Sequence, residues 1–244
     1  MKKHALLLLL VNFTLPSFGQ KQIDKYKGVW SGYMAQARLS DKWGLWFDLH
    51  ARHVDFLDRW STQIIRPGII YYPNENLRVM AGYTYARNFP APGLRTVRPE
   101  NRIWQQVIWT TRQKRLQTQQ GIRIEERFNR KVANDQLQDG YHFAFRFRYQ
   151  ITLRVPLNRD FIEANTVFLA LSEEILVNAG KQITYNVFDQ NRLFAGLGYQ
   201  FTENLGVQAG YMNQFQQLSS GNRFNSNNVL RVSIFHTPDF RNKE

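Results

Sequence analysis

The chain has 244 residues, with 32 Lys or Arg against 19 Asp or Glu and no cysteine. That length suits one domain or two small ones, and a mean hydropathy of -0.47 excludes a bundle of membrane helices, each of which needs an apolar run of about 20 residues. Without cysteine there is no disulfide framework, no thiolate nucleophile and no Cys-based metal site.

Lys2 and Lys3 precede an apolar stretch over residues 5–15, and Pro16, Ser17, Phe18, Gly19 and Gln20 follow. A charged start, a short apolar run and small residues at Ser17 and Gly19 predict a secretory signal peptide over 1–19, cleaved after Gly19. Residues 20–244 then form a single domain. No cysteine is present to carry a lipid anchor. The basic excess would suggest nucleic acid in a cytoplasmic protein, but Lys and Arg are scattered singly along strand-like segments. An exported chain instead meets the phosphates of membrane lipids and lipopolysaccharide.

Past the signal, apolar and polar residues alternate with the period of a strand. The segment over 21–39 is one strand or two. Trp43, Leu45, Phe47, Leu49 and Ala51 share a face, as do Leu77, Val79, Ala81, Tyr83 and Tyr85. Ile103, Val107 and Trp109 follow, then Leu116, Ile122, Ile124 and Phe128. The clearest segment spans 141–155, with Tyr141, Phe143, Phe145, Phe147, Tyr149, Ile151, Leu153 and Val155 on one side and Arg146, Arg148 and Arg154 on the other. At ~3.3 Å per residue and a tilt near 45° it rises about 35 Å, enough to cross the ~25 Å apolar band of an outer-membrane barrel. Leu193 to Phe201, Leu205 to Tyr211 and Leu230 to Ile234 complete the series.

Strand-like segments along the whole chain, of which these are the more regular, number eleven, whereas bacterial membrane barrels usually carry an even number. Residues 183–188 could add a twelfth, so the expectation is an all-β, antiparallel, up-and-down transmembrane barrel of 10 to 12 strands. Pro, Asn and Asp mark short turns at 40–42, 72–76, 113–115, 156–160 and 202–204. Longer connections are expected at 89–99, 129–140, 176–191 and 216–228, on the opposite rim. Trp30, Trp43, Trp46, Trp60, Trp104 and Trp109, with Tyr71, Tyr72, Tyr83 and Tyr85, would form aromatic girdles. A soluble lipocalin-like barrel uses similar strands and is the alternative fold.

Several strings resemble the domain of unknown function 2490 family: Phe18-Gly19-Gln20, Leu39-Ser40-Asp41-Lys42-Trp43-Gly44, Ile124-Glu125-Glu126-Arg127-Phe128, and above all Asn186-Val187-Phe188-Asp189-Gln190-Asn191-Arg192 followed by Gly196-Leu197-Gly198-Tyr199. The resemblance covers nearly the whole chain after the signal. It implies an exported protein of Bacteroidetes-type bacteria forming an outer-membrane barrel, with no activity attached.

If apolar faces meet lipid, the opposite faces line the interior. That predicts an interior charge network of Asp48, His50, Arg52, Arg123, Glu125, Arg127, Arg146 and Arg148, joined by Glu163 and Glu173, because an Arg or Lys facing lipid at midplane would cost ~2–4 kcal/mol. Paired Arg and Glu would plug a narrow bore or select an anionic solute. Asp189, Gln190, Asn191 and Arg192 are expected in or beside a loop, where they brace a turn or bind a sugar or phosphate. Catalytic signals are thin: Glu125 and Glu126 point to opposite faces, as do Ser233 and His236. No catalytic, cofactor or metal residue is assigned, and no cofactor is expected. The expectation is a monomeric, non-enzymatic envelope component or narrow channel without a nucleic-acid partner. A lipid-modifying barrel enzyme and a soluble ligand-binding barrel are the alternatives.

Overall fold

The computed structural model describes residues 21–241; the expected signal peptide lies outside them. Eleven strands run in chain order: β1 (Gln22–Arg38), β2 (Trp43–Val54), β3 (Arg59–Asn74), β4 (Leu77–Asn88), β5 (Arg98–Gln113), β6 (Leu116–Ala133), β7 (Gln136–Pro156), β8 (Thr166–Ala179), β9 (Phe188–Gln200), β10 (Leu205–Gln217) and β11 (Arg223–His236). Each pairs antiparallel with its sequence neighbours, and β1 meets β11 to close the barrel. That last pairing is parallel, from Gln22 opposite Arg223 to Ala35 opposite His236. The odd count therefore needs neither a missing strand nor a merged pair. Residues 21–39 hold one strand, and residues 183–187 are a connection.

Parallel closure puts the start of β1 and the end of β11 at opposite rims, here called the N rim and the C rim. After β11 the chain is fastened to the C rim: the Phe240 amide donates to the Arg38 carbonyl at 2.8 Å, and Arg241 reaches Asp41 at 3.0 Å.

Side chains alternate across the wall as a strand requires. Leu45, Leu49, Ile65, Ile69, Val79, Ile103, Val107, Ile122, Phe147, Leu169, Leu171, Leu193, Leu197 and Leu230 stand exposed on the outside. Aromatic side chains gather on that surface at both ends. Trp43 packs on Tyr71 and Tyr199 on Phe201 near the C rim, while Trp60 meets Phe89 and Phe128 meets Phe143 near the N rim. The expected girdles are thus only partly outward, since Tyr72 and Trp104 are buried in the interior and Trp30 and Trp46 pack against interior clusters. Two carboxylates, Glu126 and Glu173, interrupt the apolar exterior by strand phase.

The loops differ from expectation. Residues 129–140 are not a long connection: β6 and β7 continue to a tight turn at Asn134 and Asp135, both with positive φ (51° and 53°). Asn and Asp tolerate that left-handed geometry, as a two-residue hairpin turn demands. Conversely, residues 157–165 on the C rim make a longer loop than the expected turn. Loop length consequently distinguishes the rims weakly.

Two apolar clusters fill much of the interior: Ile70, Tyr72, Met80, Trp104 and Ile108 with Trp46, and Phe168, Ala170, Phe194, Met212 and Val229 with Trp30 and Ile162. The Trp104 ring lies against the facing pair Gly68 and Gly82, where an added Cβ would come within 2.7 and 2.6 Å of its Cζ2. Any side chain at either glycine would displace the ring.

Candidate functional site

The inward faces of β2 to β9 bring together side chains that are distant in sequence. Arg146 on β7 donates through Nε to Glu125 Oε2 on β6 at 2.9 Å, and Arg148 Nη1 donates to Glu125 Oε1 at 2.6 Å. Arg102 and Arg123 approach the same carboxylate at 3.7 Å each. Glu100 is held by Arg102 at 2.8 Å and Arg127 at 2.5 Å. Glu174 receives Arg148 Nε at 2.9 Å and Arg192 Nη1 at 2.8 Å, and Asp189 receives Arg146 Nη1 at 3.1 Å. On the facing wall, Asp48 accepts from Arg66 Nε and Trp46 Nε1 and lies 3.3 Å from His50 Nε2. Such charge-assisted, multiply bonded pairs hold one another in fixed rotamers.

Most of the residues expected in the interior network therefore meet there: Asp48, His50, Arg123, Glu125, Arg127, Arg146 and Arg148 all take part. Arg52 is inward but pairs with no carboxylate among the described residues. Its guanidinium stacks 3.9 Å from the Trp30 ring centre, and its buried Nε has no hydrogen-bond partner. Two expectations need correction. Glu163 belongs to the C-rim loop, where it pairs with Arg159 at 2.9 Å and is exposed. Glu173 stands on the outer face and accepts from Asn191 at 3.0 Å, so its neighbour Glu174 is the inward carboxylate. Strand phase accounts for this, because Leu169, Leu171, Glu173 and Ile175 are all exposed on one side.

Asp189, Gln190, Asn191 and Arg192 lie beside the long connection, where they open β9. Asp189 and Gln190 are both buried, Arg192 joins the network, and Asn191 points outward to Glu173. Gln190 accepts from Arg192 at 3.0 Å and from Gln214, which in turn accepts from Asn227 at 2.9 Å. The string thereby ties the charge network to an amide ladder across β9, β10 and β11.

Arg66, Arg102, Arg78, Arg231, Glu100 and Glu174 were not singled out from sequence. Their signal is strand phase alone, which Pro67 obscures beside Arg66 and which an apolar inner face obscures beside Glu174, where Phe168 and Leu176 are buried. Arginine outnumbers carboxylate in the interior. Among the described residues Arg78 bonds neutral partners, Gln36 at 2.5 Å and Gln119 at 3.1 Å.

Two cavities open along this interior. A polar one of about 340 Å³ faces the N rim, lined by Lys27, Arg59, Asn88, Gln216, Asn225 and Asn227 among others. A second of about 170 Å³ lies toward the C rim beside Met34, Ile108, Arg154, Phe194, Arg231 and Phe235. Trp30, Arg52, Arg66, Arg148 and Arg192 line both, and so form the partition. Trp30 sits there with Arg52 at 3.9 Å and Arg192 at 5.5 Å from its ring.

A family model described as protein of unknown function (DUF2490) matches residues 27–225. The chain belongs to this family. The match starts within β1 and stops at the beginning of β11, so it takes in β2 to β10 whole. No match was found among curated proteins or among solved structures. Membership of DUF2490 brings no activity with it, and the chemistry must be argued from the interior. There, His50 and Ser233 flank Gly32 on adjacent strands and face the same cavity. No hydrogen bond joins a serine to a histidine among the described residues, and no group of three or more His, Asp or Glu among them is arranged to hold a metal.

Proposed function

We propose that this DUF2490 chain is an exported outer-membrane barrel whose filled, arginine-rich interior is a narrow passage for small anions. One observation carries the reading: long apolar outer faces surround an interior in which guanidinium groups outnumber carboxylates. A soluble barrel would turn those outer faces to water, at roughly 25 cal/mol for each Å². A barrel in lipid gains from them, and its closure leaves no unpaired strand edge. Eleven strands fall between barrels filled by their own side chains and those wide enough for an open aqueous channel. Two small cavities split by the Trp30 partition match that intermediate size. Excess positive charge raises the local concentration of anions.

The test has two stages. Fractionated envelopes of the native host should hold the protein in the outer membrane, in a form that resists SDS and changes migration on boiling. Reconstituted in a planar bilayer, it should pass small anions over cations, and Trp30→Ala should raise the conductance by removing the partition. A detergent-free periplasmic protein, or a folded barrel in which neither the wild type nor Trp30→Ala conducts, refutes the passage.

A further inference from the structure

One circumferential row of the inner wall differs from the rest. Arg154 stands opposite Ala170, Ala170 opposite Gly196, Gly196 opposite Gly210, and Gly210 opposite Arg231. Across the parallel closure Arg231 lies beside Trp30, and Trp30 beside Arg52. Small residues thus separate two arginines, both of which line the 170 Å³ cavity together with Arg52. The Phe194 ring lies over Gly196, whose added Cβ would fall 2.6 Å from its Cζ.

None of these three arginines has a carboxylate partner among the described residues. Each instead lies near an aromatic ring: Arg52 at 3.9 Å from Trp30, Arg231 at 5.1 Å from Phe194 and Arg154 at 5.8 Å from Phe235. Contact with a ring face holds a guanidinium plane without consuming its N–H donors. The carboxylates facing the cavity are already committed, Asp48 to Arg66 and Glu174 to Arg148 and Arg192. Gln208 adds a buried Oε1 with no hydrogen-bond partner. Uncompensated cations in a low-dielectric interior are costly, and a bound anion removes that cost.

We propose that this cavity binds one hydrogen phosphate ion, its oxygens taking donors from Arg52, Arg154 and Arg231 and its P–OH donating to Gln208 Oε1. At ~30 Å³ per water the space holds about five waters. That admits a tetrahedral oxyanion with a little hydration. The ion's physiological meaning, a way-station in the passage, rests on the function proposed above; the binding chemistry does not.

The test uses the detergent-solubilised, folded full chain, with isothermal titration calorimetry against sodium phosphate, sodium sulfate and sodium chloride at matched ionic strength. Phosphate should bind saturably with one site. Sulfate, without a proton for Gln208 at neutral pH, should bind more weakly, and chloride should show no saturable heat. R154Q/R231Q should weaken phosphate by at least about tenfold, whereas R154K/R231K should retain most of it. Equal response to phosphate and sulfate, no saturable phosphate heat, or undiminished binding by a folded R154Q/R231Q overturns the site. If that variant gives no folded band on the unboiled gel, the three-anion comparison on the unmodified chain decides alone. A barrel that binds phosphate yet conducts nothing keeps the site and loses the passage; one that conducts anions without binding phosphate does the reverse.

Discussion

Replacing Glu125 by glutamine keeps the shape of the side chain and removes its charge. The carboxylate is 1% exposed and takes Arg146 through Nε at 2.9 Å and Arg148 through Nη1 at 2.6 Å, with Arg102 and Arg123 at 3.7 Å. Glutamine offers one acceptor where two oxygens served, and turns an NH₂ toward a guanidinium. Breaking a buried ion pair from one side typically costs about 3–5 kcal/mol, and four arginines around one anion put Glu125→Gln at the upper end. Glu126, the next residue, is on the outer face without an ion pair among the described residues, so Glu126→Gln should stay within about 0.5 kcal/mol. Urea titration of the folded barrel in detergent, followed by the unboiled gel band and by tryptophan fluorescence, measures both. A Glu125→Gln loss below about 1 kcal/mol, or equal losses for the two variants, would mean that the interior charges are separately hydrated. The network would then not be a packed, mutually bonded cluster.

Two further outcomes follow from the rims. Asp135 accepts the backbone N–H of Thr96 at 2.9 Å and of Arg95 at 2.9 Å, and these bonds hold its carboxyl below the usual carboxylate range. Because the folded pKa is depressed, the clip on residues 89–97 is at full strength above the ordinary value near 3.8 and fails as pH falls through the lowered one. Hydrogen exchange at Arg95 and Thr96, corrected for intrinsic pH dependence, should be flat from about pH 7 to 5 and rise only once the pH has fallen below the ordinary carboxylate value; Asp135→Asn should show the fast exchange at neutral pH, and unchanged protection in that variant would discard the clip. Parallel closure also predicts that a cleavable tag placed before Gln22 and one placed after Arg241 lie on opposite sides of the membrane. External protease on intact cells should remove one of them; removal of both, or neither in a permeabilisation-controlled experiment, contradicts the eleven-strand closure.

Alternation along each strand carried most of the architecture, because the choice of face is a local property with a period of two residues. It placed Arg146 and Arg148 inward and Phe145 and Phe147 outward from their own segment alone. It worked less well where both faces are apolar, as around Glu173 and Glu174, since Phe168 and Leu176 fill the interior beside Ala170. Turn composition misjudged residues 129–140, where β6 and β7 continue toward Asn134 and Asp135 with little alternation to mark them. The string at residues 189–192 looked like loop chemistry because Asp, Gln and Asn are rare in strands facing lipid. Three of its four members face the interior, or are buried beside it, and are satisfied by Arg146, Arg192 and Gln214.

What alternation could not give is the direction in which the barrel closes. A face pattern is identical for parallel and antiparallel neighbours, and the preference for even strand numbers argued against the count that the segments themselves provided. Yet the closure determines the interior chemistry. Pairing β1 parallel with β11 sets Trp30 beside Arg231, while pairing β1 antiparallel with β2 sets Trp30 beside Arg52. Trp30 thereby stands in register between two arginines that have no carboxylate partner among the described residues. A twelfth strand between β1 and β11 would part Arg231 from Trp30 and Arg52 and break the row at the closure. The odd strand number is thus what sets these two arginines, unpaired with carboxylates among the described residues, on either side of Trp30, and the proposed anion site depends on it.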